Sequence, residues 1–339
     1  MKRYKNLWQE FISKENFEIA VKNAVKSKKN KISTKKFLKD RENLIEQLRQ
    51  SLIDGSFKTS RYRIFTVFEP KERQIYELPL YPDHIVHHAI INILGPIWHS
   101  MFISDSYACI PGRGLHAASK RIMQFIRRNK YVLQCDIRKF FPSINHDVMI
   151  DILRQKIGDK RMMKLLCDIV RSVGGETNLP IGNLTSQWMA NLYLHQLDMF
   201  VKHVLHCKDY LRYCDDFCLF GNDKQKLWEQ LHAIQNFLNN KLKLELSKYF
   251  LHPVTRGVDM IGYRHFKKFI LLRPRGAKKI RRRLKNIACH NDTSKHAMGQ
   301  IASAHGWIKW ACTYNFKKQI QRDLKSISRS AAEFVSERL

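Results

Sequence analysis

The sequence predicts an α+β chain, and three observations carry that prediction. Short alternating or wholly apolar runs suit strands, longer stretches place apolar residues at helical spacing, and the composition turns densely basic and helical after Arg273. Residues 1–59 hold two or three helical patterns, with Leu44, Ile45, Leu48 and Leu52 on one stripe, broken by the basic run Lys26-Ser-Lys-Lys-Asn-Lys31. Residues 61–80 alternate through Tyr62, Ile64 and Thr66, then Ile75, Glu77 and Pro79, about the charged turn Glu69-Pro-Lys-Glu-Arg73, which predicts a hairpin. A helix is expected over 82–99 and another after the loop Pro111-Gly-Arg-Gly114. The apolar run Tyr131-Val-Leu-Gln-Cys135 predicts a strand closing at Asp136. Helices are expected over 146–157, 160–172, 184–204 and 223–240, with two short strands around Tyr213 to Phe220 and a β segment over 249–272. Pro274-Arg-Gly276 coincides with the shift in composition and marks a subdomain boundary.

Charge bounds the partners. The 339 residues include 61 Lys and Arg against 30 Asp and Glu, a net charge of +31. A compact fold carrying that excess repels itself unless a polyanion shares its surface, and nucleic acid is the expected polyanion. A membrane partner is not expected, because no long uncharged apolar window occurs and the N-terminus has no secretory apolar core. The sequence as written is therefore expected to be the mature chain. At 44% hydrophobic residues the chain has the means to bury a core rather than remain a disordered basic tail. The eight cysteines form no CxxC pair, which predicts reduced thiols, a cytoplasmic location and neither a disulfide framework nor a zinc finger.

Against this basic background, Asp136 at a strand end and Asp215-Asp216 inside the apolar stretch Tyr213 to Phe220 stand out. Carboxylates in such surroundings are costly without cations. The flanking runs read as a hairpin whose turn carries both aspartates, and a neighbouring strand would bring Asp136 alongside. Three converging carboxylates suit hard divalent cations that bridge to phosphates. Taken alone, Asp-Asp is also a common turn pair. His84 and His88 have zinc-compatible spacing but lack further ligands.

Order along the chain goes further. Cys135-Asp-Ile-Arg-Lys-Phe-Phe-Pro-Ser-Ile144, Leu179-Pro-Ile-Gly-Asn-Leu-Thr-Ser-Gln187 and the YxDD box Tyr213-Cys-Asp-Asp216 together resemble the palm motifs of reverse transcriptases. Lys71-Glu-Arg73 with Ile75-Tyr-Glu-Leu-Pro79 resembles the fingers hairpin, Ser106 to Gly114 the next fingers segment, and Arg256 to Tyr263 the primer grip. The resemblance covers roughly residues 60–270. It implies a right-hand polymerase fold, with a basic helical region over 1–59, fingers mainly over 60–130, palm with part of the fingers over 131–272, and a basic helical thumb over 273–339.

Within that family, the wording LPIGNLTSQ and the compact length are most similar to the diversity-generating retroelement enzymes, which copy a template RNA with errors at adenines. Retron and abortive-infection enzymes are the rival resemblance, some of them template-independent; a non-catalytic nucleic-acid-binding protein on the same fold is the alternative from another class. The resemblance implies an RNA-directed DNA polymerase using two Mg²⁺ ions, with Mn²⁺ as a substitute, held by Asp136, the Ile137 carbonyl, Asp215 and Asp216. It implies template RNA, primer or cDNA and dNTPs as partners, together with a small basic accessory protein that oligomerises.

Further roles follow from the same resemblance. Lys71 and Arg73 would hold the dNTP triphosphate, although in so basic a chain they also read as solvated charges. Phe141 would lie under the sugar and exclude a 2′-hydroxyl, the plain alternative being a core Phe. Ile181 stands where most of the family has Gln, which would loosen base selection, and Gly182 would let backbone approach template or nucleotide. Gln187 belongs to the same motif or to a helix surface. Lys248 matches a lysine near the pyrophosphate. Trp307, Trp310, Tyr314 and Phe316 read as thumb core more readily than as base-stacking platforms.

Overall fold

The computed structural model describes residues 3–68 and 71–327; Glu69 and Pro70 of the expected charged turn lie outside the described residues, as do the two ends of the expected N- and C-terminal regions. Helices α1 (Leu7–Phe11), α2 (Lys14–Ala24), α3 (Ile32–Lys39) and α4 (Arg41–Asp54) come first. Ser13 starts α2 by accepting from the Asn16 N–H, and Gly55 in a left-handed conformation ends α4. Strands β1 (Arg63–Val67) and β2 (Arg73–Glu77) form the expected antiparallel hairpin, with Arg63 opposite Glu77. It is exposed along all of β1.

Helix α5 (Ile85–Met101) is apolar on most sides and buries Ile85, Ile90, Leu94 and Trp98 against α1, α2 and the core. Helix α6 (Leu115–Arg128) precedes β3 (Tyr131–Ile137), the short α7 (Phe140–Ser143), α8 (His146–Arg154), α9 (Lys160–Val170) and α10 (Leu184–Met199). Side chains of Asn145 and Asp159 cap α8 and α9. Strands β4 (Tyr210–Tyr213) and β5 (Asp216–Gly221), helix α11 (Lys224–Phe237) and β6 (Leu246–Pro253) complete the central unit. The helices expected to 204 and 240 end as wider turns at 200–204 and 238–242.

The central antiparallel sheet runs β4-β5-β3-β6. Alternation along its strands explains why both faces are covered. Leu133, Cys135, Ile137, Phe217 and Leu219 point into the main core, toward α8 and α10, whereas Val132, Cys218 and Phe220 join a second cluster with Ile122, Phe125 and Ile126 of α6. Burial on both faces is what reads in the sequence as unbroken apolar runs.

The single β segment expected over 249–272 is several strands: β6, then a separate three-stranded sheet of β7 (Val258–Met260), β8 (Tyr263–His265) and β9 (Ile270–Leu272). Turn residues between them break the run. Helices α12 (Pro274–Cys289), α13 (Lys295–Trp310) and α14 (Tyr314–Lys325) then pack on a core of their own, built from Ile280, Leu284, Ile301, Ile308, Ile320 and Leu324. Pro274 occupies the first turn of α12, where its missing N–H costs nothing, so Pro274-Arg-Gly276 begins a helix rather than a loop. This unit docks on β8 where Gly262 has a left-handed φ of +84° and a Cβ would stand 2.5 Å from the Trp307 ring.

Candidate active site

The strand register assembles the carboxylates. Asp136, second from the end of β3, lies directly opposite Asp216 on β5 and opposite Lys248 on β6. Residues paired across strands share a face, so all three side chains leave the same side of the sheet. The turn between β4 and β5 holds Cys214 and Asp215, with Cys214 at φ 56°; Asp216 already opens β5, a correction to the expectation that the turn carries both aspartates. A register shift between Asp136 and Ile137 marks a bulge, after which Ile137 pairs with Leu246.

Electrostatics there favour cations. Burial pushes the Asp215 carboxyl above its usual range, and the Asp136 charge adds to this, while Arg73 and Lys71 oppose it. Desolvation, then the charges of Asp215 and Asp136, push Asp216 up to about 7 although the residue keeps solvent contact. Ser247 Oγ donates to Asp136 Oδ2 at 2.6 Å, and Lys71 Nζ stands 3.4 Å from the same oxygen. Among the described residues, no group of three or more His, Cys, Asp or Glu side chains closes a metal cage by itself. An all-oxygen, mutually repelling and open set fits Mg²⁺-like ions, which keep waters and share few carboxylates with substrate phosphates. His84, His87 and His88 form no such cage either.

Lys71 and Arg73 thus both face the aspartates from the hairpin. Phe140 is buried beside Tyr193, and the half-buried Phe141 meets it edge-on at 5.4 Å. Ile181 is half-buried and Gln187 exposed on α10, as is Lys248 on β6. Gly182 makes a close approach, but to protein: a Cβ at its φ of +132° would lie 2.5 Å from the Tyr76 carbonyl oxygen, and the Tyr76 N–H donates to the Ile181 carbonyl at 2.7 Å. This glycine thus packs tightly on β2 while remaining exposed. Asn178 and Asn183 add hydrogen bonds to the Tyr76 and Tyr62 hydroxyls. Trp310 stacks on His116 and Trp307 packs on Tyr263, so both serve packing; Phe316 is partly buried and Tyr314 exposed.

A groove of about 960 Å³ runs between Phe68 at the hairpin tip and the α12–α13 pair. Arg273, Arg275, Lys278, Arg282 and Arg283 line it, with Trp307 at its base. Sequence reasoning missed three contributors near the aspartates. Ser247 sits on Asp136, the free thiols of Cys109 and Cys214 neighbour each other, and Arg212 is fully buried beside the turn. Only Arg212 left a signal: a charge inside an apolar strand.

Two carboxylates in register on an antiparallel sheet, with a third in the adjoining turn, suit a nucleotidyl-transferring site. Residues 70–265 match the reverse transcriptase (RNA-dependent DNA polymerase) family, and the chain belongs to that family. It is 28% identical over 170 residues to the group II intron-encoded protein LtrA of Lactococcus lactis subsp. cremoris, covering 47% of this chain and 28% of LtrA. It is 24% identical over 278 residues to protein YkfC of Escherichia coli strain K12, covering 66% of this chain and 71% of YkfC. The fold is similar to that of telomerase from Candida albicans, solved with the TWJ fragment of telomeric RNA. That match has a TM-score of 0.50 at 10% identity and covers 82% of this chain and 56% of the telomerase chain. The chain thus spans little more than a quarter of LtrA's length.

Proposed function

We propose that this chain is an RNA-directed DNA polymerase that copies a template RNA into cDNA. The observation that carries the reading is the clustering of Asp136 and Asp216, paired in register on one face of the sheet, with Asp215 in the adjoining turn, and with Lys71 and Arg73 acting on the cluster. In the reaction, the primer 3′-oxygen attacks the α-phosphorus of a dNTP, the bond to the bridging oxygen breaks, and pyrophosphate leaves. Asp136, the Ile137 carbonyl, Asp215 and Asp216 would hold two Mg²⁺ ions, or Mn²⁺ in their place. When bound, such ions lower the pKa of the attacking hydroxyl and stabilise the leaving oxygen.

The protein's own groups supply position and charge. Lys71, now on Asp136, is within reach of a triphosphate seated in the same cleft, and Arg73 offers bidentate contact to it. Phe141 would lie under the sugar, where its ring would offer a 2′-hydroxyl neither room nor a hydrogen-bond partner. Lys248, in register with Asp136, is placed to serve the pyrophosphate, and Gln187 to face template or nucleotide from α10. The proposed division is fingers over 60–130, palm over 131–272 and thumb over 273–339, after the helical region 1–59.

The finer reading is a diversity-generating retroelement enzyme, error-prone at template adenines, working in the cytoplasm with a small basic oligomeric accessory protein. Ile181 supports it, because an apolar side chain stands where most of the family carries an amide, which would loosen base selection. Purified protein with a primed RNA template, dNTPs and Mg²⁺ should extend the primer, and the doubly substituted Asp215→Ala, Asp216→Ala protein should not. Sequenced cDNA should carry its errors opposite adenines; uniform errors at all four bases would remove the subtype and leave the polymerase.

A further inference from the structure

Arg212 carries a charge at the centre of the protein. Its guanidinium and the Asp198 carboxylate are both fully buried, and the two groups meet fork to fork, Nε to Oδ1 at 2.8 Å and Nη2 to Oδ2 at 2.7 Å. Tyr210 donates its hydroxyl to the same carboxylate at 2.7 Å. Nη1 donates twice, to Asn191 Oδ1 and to the backbone carbonyl of Cys214, each at 3.1 Å. Asn191 and Asp198 lie two helical turns apart on one face of α10, the helix that starts just after Ile181-Gly182. Asn191 Nδ2 in turn donates to the Ala108 carbonyl at 2.9 Å, and the Arg212 backbone exchanges bonds with Asp105 and Tyr107.

Taking two charges out of water costs free energy, and a well-packed apolar pair often replaces them without loss of stability. What a rigid guanidinium gives that an apolar pair cannot is direction. Here one donor is aimed at Cys214, the left-handed residue immediately before Asp215. Lysine would preserve the charge but has no planar fork to serve Asp198, Asn191 and Cys214 together.

We infer that Arg212 is a positioning residue: by bridging α10 to the Cys214 carbonyl, it fixes where the Asp215 and Asp216 carboxylates stand relative to the Ile181–Gly182 loop. The inference rests on the polymerase reading above. It assigns a role in placing the reacting groups to a residue that touches neither substrate nor metal.

Rapid-quench primer extension on the full chain, with a primed RNA template, dNTPs and Mg²⁺, separates this role from a purely structural one. In Arg212→Lys the burst rate constant should fall roughly 10- to 100-fold, as expected for a displacement of reacting groups near 1 Å. The dNTP KM and primer–template Kd should stay within about twofold, since neither ligand is touched. Half-saturation by Mg²⁺ should shift to higher concentration. A residue that only stabilises the fold would lower the melting temperature and the burst amplitude while the rate constant per active site stays at the unsubstituted value, and that result overturns the inference.

Asn191→Ala keeps the Arg212–Asp198 pair and removes one guanidinium acceptor, so it decides the matter if Arg212→Lys does not fold. A several-fold lower burst rate constant supports the inference, and an unchanged one overturns it. No primer extension by the unsubstituted chain overturns the polymerase reading and this inference with it; normal extension with variants of unchanged single-turnover rate overturns this inference alone.

Discussion

Two charged regions of this protein are built on opposite plans. At the end of the central sheet, Asp136 and Asp216 are fixed by strand register and Asp215 by the tight turn beside them, on a sheet that is buried on both faces. Along α12 the bases Arg275, Lys278, Arg282 and Arg283 ride an exposed surface over a small separate core. The first plan sets positions, because phosphoryl transfer depends on where a few groups stand. The second sets a field, because a phosphate backbone is held by many interchangeable charges.

The largest effect should come from the acid end. Asp215→Ala with Asp216→Ala should cut the extension rate by more than the roughly 10²–10³-fold typical of removing one electrostatic stabiliser. Primer–template affinity should stay the same or rise, since negative charge has been removed; a loss of binding to match the loss of rate would break the contrast. Next comes the basic surface. Arg282→Ala with Arg283→Ala should weaken primer–template binding roughly 10- to 100-fold near physiological salt. It should also flatten the slope of log K against log salt by about 1 per residue, with the rate at saturation retained. Fluorescence anisotropy across a salt series tests this, and an unchanged slope would place the duplex elsewhere.

The two plans also differ in how legible they are. Asp136, Tyr213 to Asp216 and the hairpin with Lys71 could be read from the sequence because acids among apolar residues are expensive and turn chemistry is local. Chain membership in the polymerase family followed from the order of those segments. What escaped was non-local. That Gly182 packs on Tyr76 depends on β2 crossing the loop, and that Ser247 caps Asp136 depends on the register of β6. Arg212 left a trace as a charge within β4, but its burial and its pairing with Asp198 depend on where α10 packs. The β segment over 249–272 read as one because three of its strands are only three residues long and the turns between them are short.

Gly182→Ala probes the joint between the hairpin and the acid end. The added methyl meets the Tyr76 carbonyl in a backbone conformation that L side chains rarely adopt, so about 1–3 kcal/mol of strain is expected. The strain should appear as a lower melting temperature and a raised dNTP KM, because the displaced β2 carries Arg73. A wild-type KM would show that the hairpin is placed independently of the Ile181–Gly182 loop.

The smallest effect concerns the seam between the two regions. Trp310 Nε1–H donates to Ser119 Oγ at 2.9 Å, Ser119 Oγ lies 2.8 Å from His265 Nε2, and His265 Nδ1 lies 3.2 Å from the Val258 carbonyl. With Trp310 fixed as donor, the network closes if the Ser119 hydroxyl donates to Nε2 and Nδ1–H donates to Val258, which assigns a neutral imidazole. Burial holds His265 at about 4, against 6.5 for the free side chain. A folded-state pKa below the unfolded value means that the unfolded chain binds the proton first. The contribution is therefore complete above pH 6.5 and is lost as pH falls toward 4. Between pH 7 and 5 the loss is roughly 1–2 kcal/mol for such a shift. His84 and His87, lowered to about 4 and about 3 by burial, add their own acid sensitivity near α5. The difference between the unsubstituted chain and His265→Gln therefore isolates the seam: the variant's melting temperature should fall less steeply from pH 7 to 5. Hydrogen exchange should show α13 loosening first in the unsubstituted chain, whereas parallel profiles for the two proteins would mean that the imidazole does not hold α13 to the sheet.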